Sequence, residues 1–153
     1  MTDADAILEQ AGFDPDESIL TRRQAEVLAL RERGLTQSAI AEQFGTSRAN
    51  VASIESSARE NVRKARETVA VAETLRAPVQ VDIDAGTDLY DVPPAVFAAC
   101  DTADVKVPQT APELLSTVSE AAGDAVVGRE VRMDVLISVG ADGAVRVRRT
   151  SDD

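Results

Sequence analysis

Two different hydrophobic rhythms divide this chain at Pro78. Before it, apolar residues recur in steps of three and four, the spacing of one helix face. After it, they mostly alternate with polar residues, the spacing of one face of a strand. The first firm helix carries Ala25, Val27, Leu28 and Leu30 as its buried stripe. Thr21 and Gln24 form a capping box at its start. Gly34 ends it, with Arg31 and Arg33 as a solvated last turn suited to the negative pole. Thr36 opens a second helix that runs to about Phe44, and Ser47 caps a third. From Arg48 to Ala77 there is no Pro or Gly, and Val51, Ile54, Ala58, Val62, Ala65, Val69 and Ala72 keep the helical step. One long helix is therefore predicted from about Ser47 to Leu75. Its small-residue seam suits packing either on the protein's own body or on a second copy.

Upstream, Asp5 to Ala11 predicts a short helix ended by Gly12. An acidic loop with Asp14, Pro15, Asp16 and Glu17 follows. Residues 1–20 read as an acidic arm, expected to be mobile. Downstream, Val79, Val81 and Ile83 predict a strand, and Pro93 and Pro94 open a short helix through Val96 and Phe97. Val105 to Val107 is a short extended piece, and Thr110 or Pro112 opens a helix through Leu114, Leu115 and Val118. Residues 131–139 form the clearest strand. Asp142 and Gly143 are expected to supply the positive-φ positions of a hairpin returning through Val145 and Val147. The fold class is α+β: an all-α domain at 21–76 with a long third helix, then a small α+β domain at 77–153 with an antiparallel sheet.

Within the helical half, Thr36 to Glu55 has the pattern of a helix-turn-helix. Two short helices crossing steeply need a small residue at the contact, here Ala41. The turn needs a residue that tolerates positive φ, here Gly45. Ile40 and Phe44 on one helix then face Val51 and Ile54 on the next. A second helix held in this way presents its free face to the major groove.

Composition narrows the chemistry. Aromatics are 3 % of the chain, so the core must be built from Ala, Val, Leu and Ile. There is no histidine and only Cys100, which excludes Ser-His-Asp and Cys-His nucleophiles, His-ligated zinc and an intrachain disulfide. Cys100, beside Ala98 and Ala99, reads as a small buried hydrophobe. Asp82, Asp84, Asp88 and Asp91 match no calcium-loop spacing and have no basic residue near them in sequence. Neither catalytic residues, metal nor cofactor is expected, and no segment is long and apolar enough to span a bilayer. The expectation is a soluble, cytoplasmic protein.

Net charge is −11, yet its distribution is uneven. Residues 1–20 hold six acids and no base; residues 21–76 hold ten bases against seven acids; residues 77–153 hold six bases against fourteen acids. Only the helical half is basic, as contact with nucleic acid requires. Lysine is nearly absent, at Lys64 and Lys106. Acid-rich, Lys-poor surfaces resemble those of proteins from salt-loving archaea, the reading preferred here over an acidic mesophilic protein. In molar salt the Debye length is only about 3 Å, so a distant acidic surface hardly disturbs DNA.

At about 100° per residue, Val51 and Ile54 define the inward side of the third helix. Ala49, Ala52, Ser53 and Ser56 lie roughly opposite, with Arg48 and Ser57 on the flanks. Small side chains admit the backbone to the groove floor, methyls meet thymine methyls, and serines bond base edges. Arg48 suits guanine O6 and N7; Asn50 suits adenine or, better by its angle, a phosphate. Arg22 and Arg23 begin the first helix, where many such domains touch the DNA backbone. Gln37 and Ser38 open the second helix, whose free N–H groups attract phosphate. Ser47 completes the candidate surface as the cap of the recognition helix. Arg59 and Arg63 could reach flanking phosphates or pair with Glu55 and Glu60.

Residues 20–69, LTRRQAEVLALRERGLTQSAIAEQFGTSRANVASIESSARENVRKARETV, resemble the Tfx family of archaeal DNA-binding proteins, with GTSRANVASIE the most specific stretch. They are similar, less closely, to LuxR-type DNA-binding domains and to sigma-factor region 4. GTDLYDVP, residues 86–93, also resembles the family's C-terminal region. The resemblance implies a transcriptional regulator of double-stranded DNA with an N-terminal helix-turn-helix. A homodimer on a partly palindromic site is expected, because one motif per chain gives a small interface. Two alternatives stay open: a sigma-like adaptor touching the transcription machinery, and a sensor whose ligand binds at Thr87, Asp88, Tyr90 and Asp91. For Asp88 and Asp91 the simpler reading is that they cap a turn before the Pro93 helix.

Overall fold

The computed structural model describes residues 2–150. Its chain separates into two compact units, divided between Val69 and Ala70, inside a single long helix. The first residue of the expected arm and the last three of the expected second domain lie outside the described residues.

The first unit is all helical. It contains α1 (Ala4–Ala11), α2 (Arg22–Glu32), α3 (Gln37–Phe44) and the larger part of α4 (Arg48–Arg76). Thr21 makes the predicted capping box with Gln24. The Thr36 hydroxyl accepts the Ala39 N–H, and the Ser47 hydroxyl accepts the Asn50 N–H at 3.0 Å. Gly45 ends α3 at φ 69°, the left-handed conformation that the turn demands. Val27, Leu30, Ile40, Ala41 and Val51 close the core, with Phe44 and Ile54 packed against it. Ala41 lies buried, as a steep crossing of two helices requires.

Part of the acidic arm packs onto this unit. The Asp3 side chain caps α1, and α1 buries Ala4 and Leu8, Ala4 within this same core. The apolar residues of so short a helix outweigh the acidity of its outer face, because burial of even small side chains on a ready-made surface is favourable. Along α4 the seam changes character. Val51 and Ala58 are fully buried and Val62 and Ala65 half-buried, whereas Val69 is 60 % exposed.

The second unit holds the last turns of α4, then β1 (Val79–Ile83), α5 (Val92–Ala103), α6 (Ala111–Ala122), β2 (Val126–Val127), β3 (Glu130–Val131), β4 (Val135–Val139) and β5 (Val145–Arg149). β1, β4 and β5 form an antiparallel sheet with β4 in the centre. Val81 opposes Ile137, which opposes Val147. Val79, Ile83, Val96, Leu114, Val118 and Ile137 lead its core. Cys100 is buried in that core, as expected of a small hydrophobe, and burial pushes its thiol pKa up. On the other sheet face, the Gln80 side-chain amide donates to the Thr74 carbonyl and Arg146 reaches Glu73. The fold is α+β with an antiparallel sheet, as the rhythms predict.

Two local expectations are corrected. Residues 131–139 are not one strand. Val131 pairs with β2 and with the 86–88 loop, and Val135 then joins β1 and β5. The break is anchored by Asp134, whose carboxylate accepts the Ala85 N–H at 2.7 Å. Alternation survives a change of partner strand, so side-chain pattern alone does not reveal it. In the β4–β5 turn only Gly143 has positive φ, at 82°; Asp142 instead accepts the Ala144 N–H. Glycine is required at 143 for a second reason: a Cβ there would sit 2.6 Å from the Lys106 carbonyl oxygen.

Candidate nucleic-acid interface

The candidate surface begins at Gly45. A left-handed residue there turns the chain sharply, and the Ser47 cap fixes the start of α4. Val51 pins the inner side of this helix. The opposite side exposes Ala49, Ser53 and Ser56, with Ala52 half-buried. Arg48 is exposed and holds no ion pair among the described residues. These residues therefore share one solvent-facing patch. Asn50 is more constrained, since its side-chain amide donates to the Thr46 hydroxyl at 2.9 Å, which turns it back along the loop.

Glu55 holds this helix in place. Its carboxylate is only 8 % exposed and is shared by three elements. Arg31 of α2 donates through Nε at 2.8 and 3.1 Å, Gln37 of α3 at 3.2 Å, and Arg59 of α4 at 3.3 Å. Arg31 also donates to the Leu35 carbonyl at 2.8 Å, tying in the α2–α3 loop. Burial alone would raise the carboxyl pKa. The Gln37 hydrogen bond and the charge and hydrogen bond of Arg31 outweigh burial and leave it below its ordinary value. The arrangement fixes the angle between the start of α4 and the two helices that support it.

This cluster corrects two sequence expectations. Arg31 is not a solvated helix end but a half-buried ion-pair partner. Gln37 turns its side chain inward to Glu55, which takes that side chain out of the exposed surface. Ser38 beside it is exposed. The signal for Glu55 was in the sequence: it lies one helical turn from Val51 and three residues from Ala58, on the rim of the buried stripe. Its partners were not legible, because Arg31 and Gln37 lie 24 and 18 residues away.

Three further candidate arginines are held by acids. Arg22 bonds Asp5 at 2.7 Å, and that bond raises its pKa further. Arg23 pairs with Glu26 at 3.1 Å and lies over the Phe44 ring at 4.1 Å. Arg63 pairs with Glu60 at 2.7 Å. All three are more than half exposed, so these pairs are weak and exchangeable for phosphate. Glu60 shares the outward side of α4, where its charge opposes contact unless Arg63 neutralises it.

In the second unit, the polar groups that suggested a ligand site are engaged locally. Asp88 accepts the Tyr90 N–H and clamps Arg129, while Thr87 donates to the Asp84 carbonyl. Arg129 lies over the Tyr90 ring at 4.5 Å. Asp88 does cap the turn before α5, whereas Asp91 makes no side-chain cap bond. Among the described residues no cluster of acids and cysteine is arranged for a metal ion, and no helix is long and apolar enough to cross a membrane.

Comparison with known proteins agrees with this geometry. Residues 65–147 match the family model described as the C-terminal part of the DNA-binding protein TFX, and residues 18–64 match sigma-70 region 4. A protein of Haloarcula marismortui, provisionally named a transcriptional regulatory protein, is 56 % identical over 149 residues, covering 97 % of this chain and 94 % of the relative. A similarly named protein of Methanocaldococcus jannaschii is 37 % identical, covering 86 % and 96 %. The DNA-binding protein Tfx of Methanothermobacter thermautotrophicus is 33 % identical, covering 85 % and 94 %. With a helix-turn-helix half, a matching C-terminal half and relatives aligned along nearly their whole length, the chain belongs to the Tfx family of archaeal DNA-binding proteins.

Proposed function

We propose that this protein is a sequence-specific transcriptional regulator, acting in the cytoplasm without catalysis, that inserts the first turns of α4 into the major groove of double-stranded DNA. The observation that carries this reading is one of charge. In a chain of net charge −11, the surface from Gly45 to Arg59 contains a single acid, and that acid, Glu55, is turned inward and paired. Arg48, Ala49, Ala52, Ser53 and Ser56 read base edges. Ser47 positions the helix start, and Asn50 contacts either a base or a phosphate after leaving Thr46. Arg22, Arg23, Ser38, the Gln37 backbone N–H, Arg59 and Arg63 meet the phosphates. Two copies bind two half-sites, which gives one small motif enough contact for specificity.

The test is selection of bound sequences from random DNA in molar KCl. One motif in two inverted copies supports the reading, and absence of any motif overturns it. The match to sigma-70 region 4 favours a second reading, an adaptor that contacts the transcription machinery. Capture of RNA polymerase by this protein in the absence of DNA would distinguish the two.

A further inference from the structure

We infer that two copies of this chain associate through the α2–α4 face of the first unit, along an apolar strip centred on Val62. The inference rests on the dimeric reading above and names the surface that reading needs. Two grooves meet on this face. One, of about 390 Å³, is lined by Ile19, Leu20, Val62, Ala65 and Val69. The other lies between Leu28 and Val62 and is rimmed by Glu32, Arg66 and the already paired Arg59 and Arg63. They share Val62 and Arg66, so they form one continuous strip. Ile19 is 62 % exposed and Val69 60 % exposed, whereas Val51 and Ala58 further up the same seam are fully buried. The heptad step of Ala58, Val62, Ala65 and Val69 is the spacing that packs one helix against another.

Charge selects a second copy as the occupant. A two-fold interface applies the same patch to itself, so each unpaired cation on it must meet an anion of that same patch. Arg66 is exposed and unpaired among the described residues. Glu32 lines the strip on one side, and the exposed Asp16 and Glu17 precede Ser18 on the other. A face carrying both signs around an apolar centre is complementary to its own copy. It suits less well a uniformly acidic or uniformly basic protein partner. Association also has to overcome the net charge of −11 on each copy. That repulsion is long-ranged and disappears in molar salt, whereas the apolar contact does not.

The test is sedimentation equilibrium of the full chain without DNA, in decimolar and in molar KCl. The wild type is expected to be dimeric in molar KCl, with the dissociation constant weakening about tenfold or more at the lower salt. Val69→Glu and Ile19→Glu, both at exposed positions, and Arg66→Glu are each expected to give monomers with an unchanged circular dichroism spectrum. Val127→Glu, at an exposed apolar residue of the second unit, is expected to leave the dimer intact. A wild type that stays monomeric in molar KCl overturns the proposal and leaves the strip to another protein. A dimer that survives both Val69→Glu and Ile19→Glu overturns it in favour of a different face. Since no DNA is present, either failure is separate from failure of DNA recognition.

Discussion

Arg48 and Glu55 stand on the same flank of α4, seven residues apart, and their surroundings give them opposite tasks. Arg48 faces water and holds no carboxylate among the described residues. Arg48→Ala is expected to weaken binding to the selected site by roughly 1–3 kcal/mol and to relax preference at one base position. Fluorescence anisotropy on matched and mismatched sites would measure both. Arg63→Ala, by contrast, should weaken all sequences alike, because a phosphate contact carries no base information. Glu55 works through position. Removing one partner of a buried ion pair leaves the others uncompensated, and since Arg59 is half exposed the cost of Glu55→Ala is expected at about 2 kcal/mol, below the roughly 3–5 kcal/mol of a fully buried pair. Urea unfolding reads that cost. Its folded pKa lies below the unfolded value near 4.5, so its contribution is complete above 4.5 and is lost as pH falls through the lower folded value. The stability gap between wild type and Glu55→Gln should therefore be constant at neutral pH and close below pH 4.5.

At the scale of elements, the helix starts were legible because capping is local. Thr21, Thr36, Ser47 and Thr110 lie within three residues of the N–H groups they accept. Ser47→Ala should cost about 1 kcal/mol in thermal or urea unfolding, the usual value for a lost cap. It should also weaken DNA binding, since the same bond fixes the entry of α4. The strands were less legible. The hydrophobic rhythm of residues 131–139 is continuous, but the backbone changes partner at Arg132 to Asp134, and backbone hydrogen bonds leave no trace in side-chain order. At the following turn a close approach adds to conformation. Gly143→Ala places a Cβ against the Lys106 carbonyl as well as straining a positive φ, and is expected to destabilise the protein by about 2–3 kcal/mol in urea unfolding.

At the scale of the whole molecule, charge and salt decide behaviour. The acids lie mostly outside the recognition surface, so low salt sets them against one another and against DNA. Raising KCl from decimolar to molar is expected to raise the melting temperature followed by circular dichroism, with the buried Glu55 cluster less affected than the exposed pairs. A melting temperature that falls with KCl would contradict this account of the acidity. The Haloarcula marismortui relative, 56 % identical, comes from the kind of organism the composition suggests.

Properties that depend on near neighbours could be read from the residues alone: the helices and their caps, the left-handed turn at Gly45, the outward side of α4 and the basic balance of the helical half. Each follows from contacts within about one helical turn or from composition. Tertiary structure alone decided that α1 joins the core, that Arg31 and Gln37 turn inward to Glu55, that Arg22 and Arg23 are held by Asp5 and Glu26, and that Val131 and Val135 belong to different ladders. A long charged side chain can reach water or any of several acids with little difference in local energy. Only the packing of distant elements removes the water and fixes which partner remains.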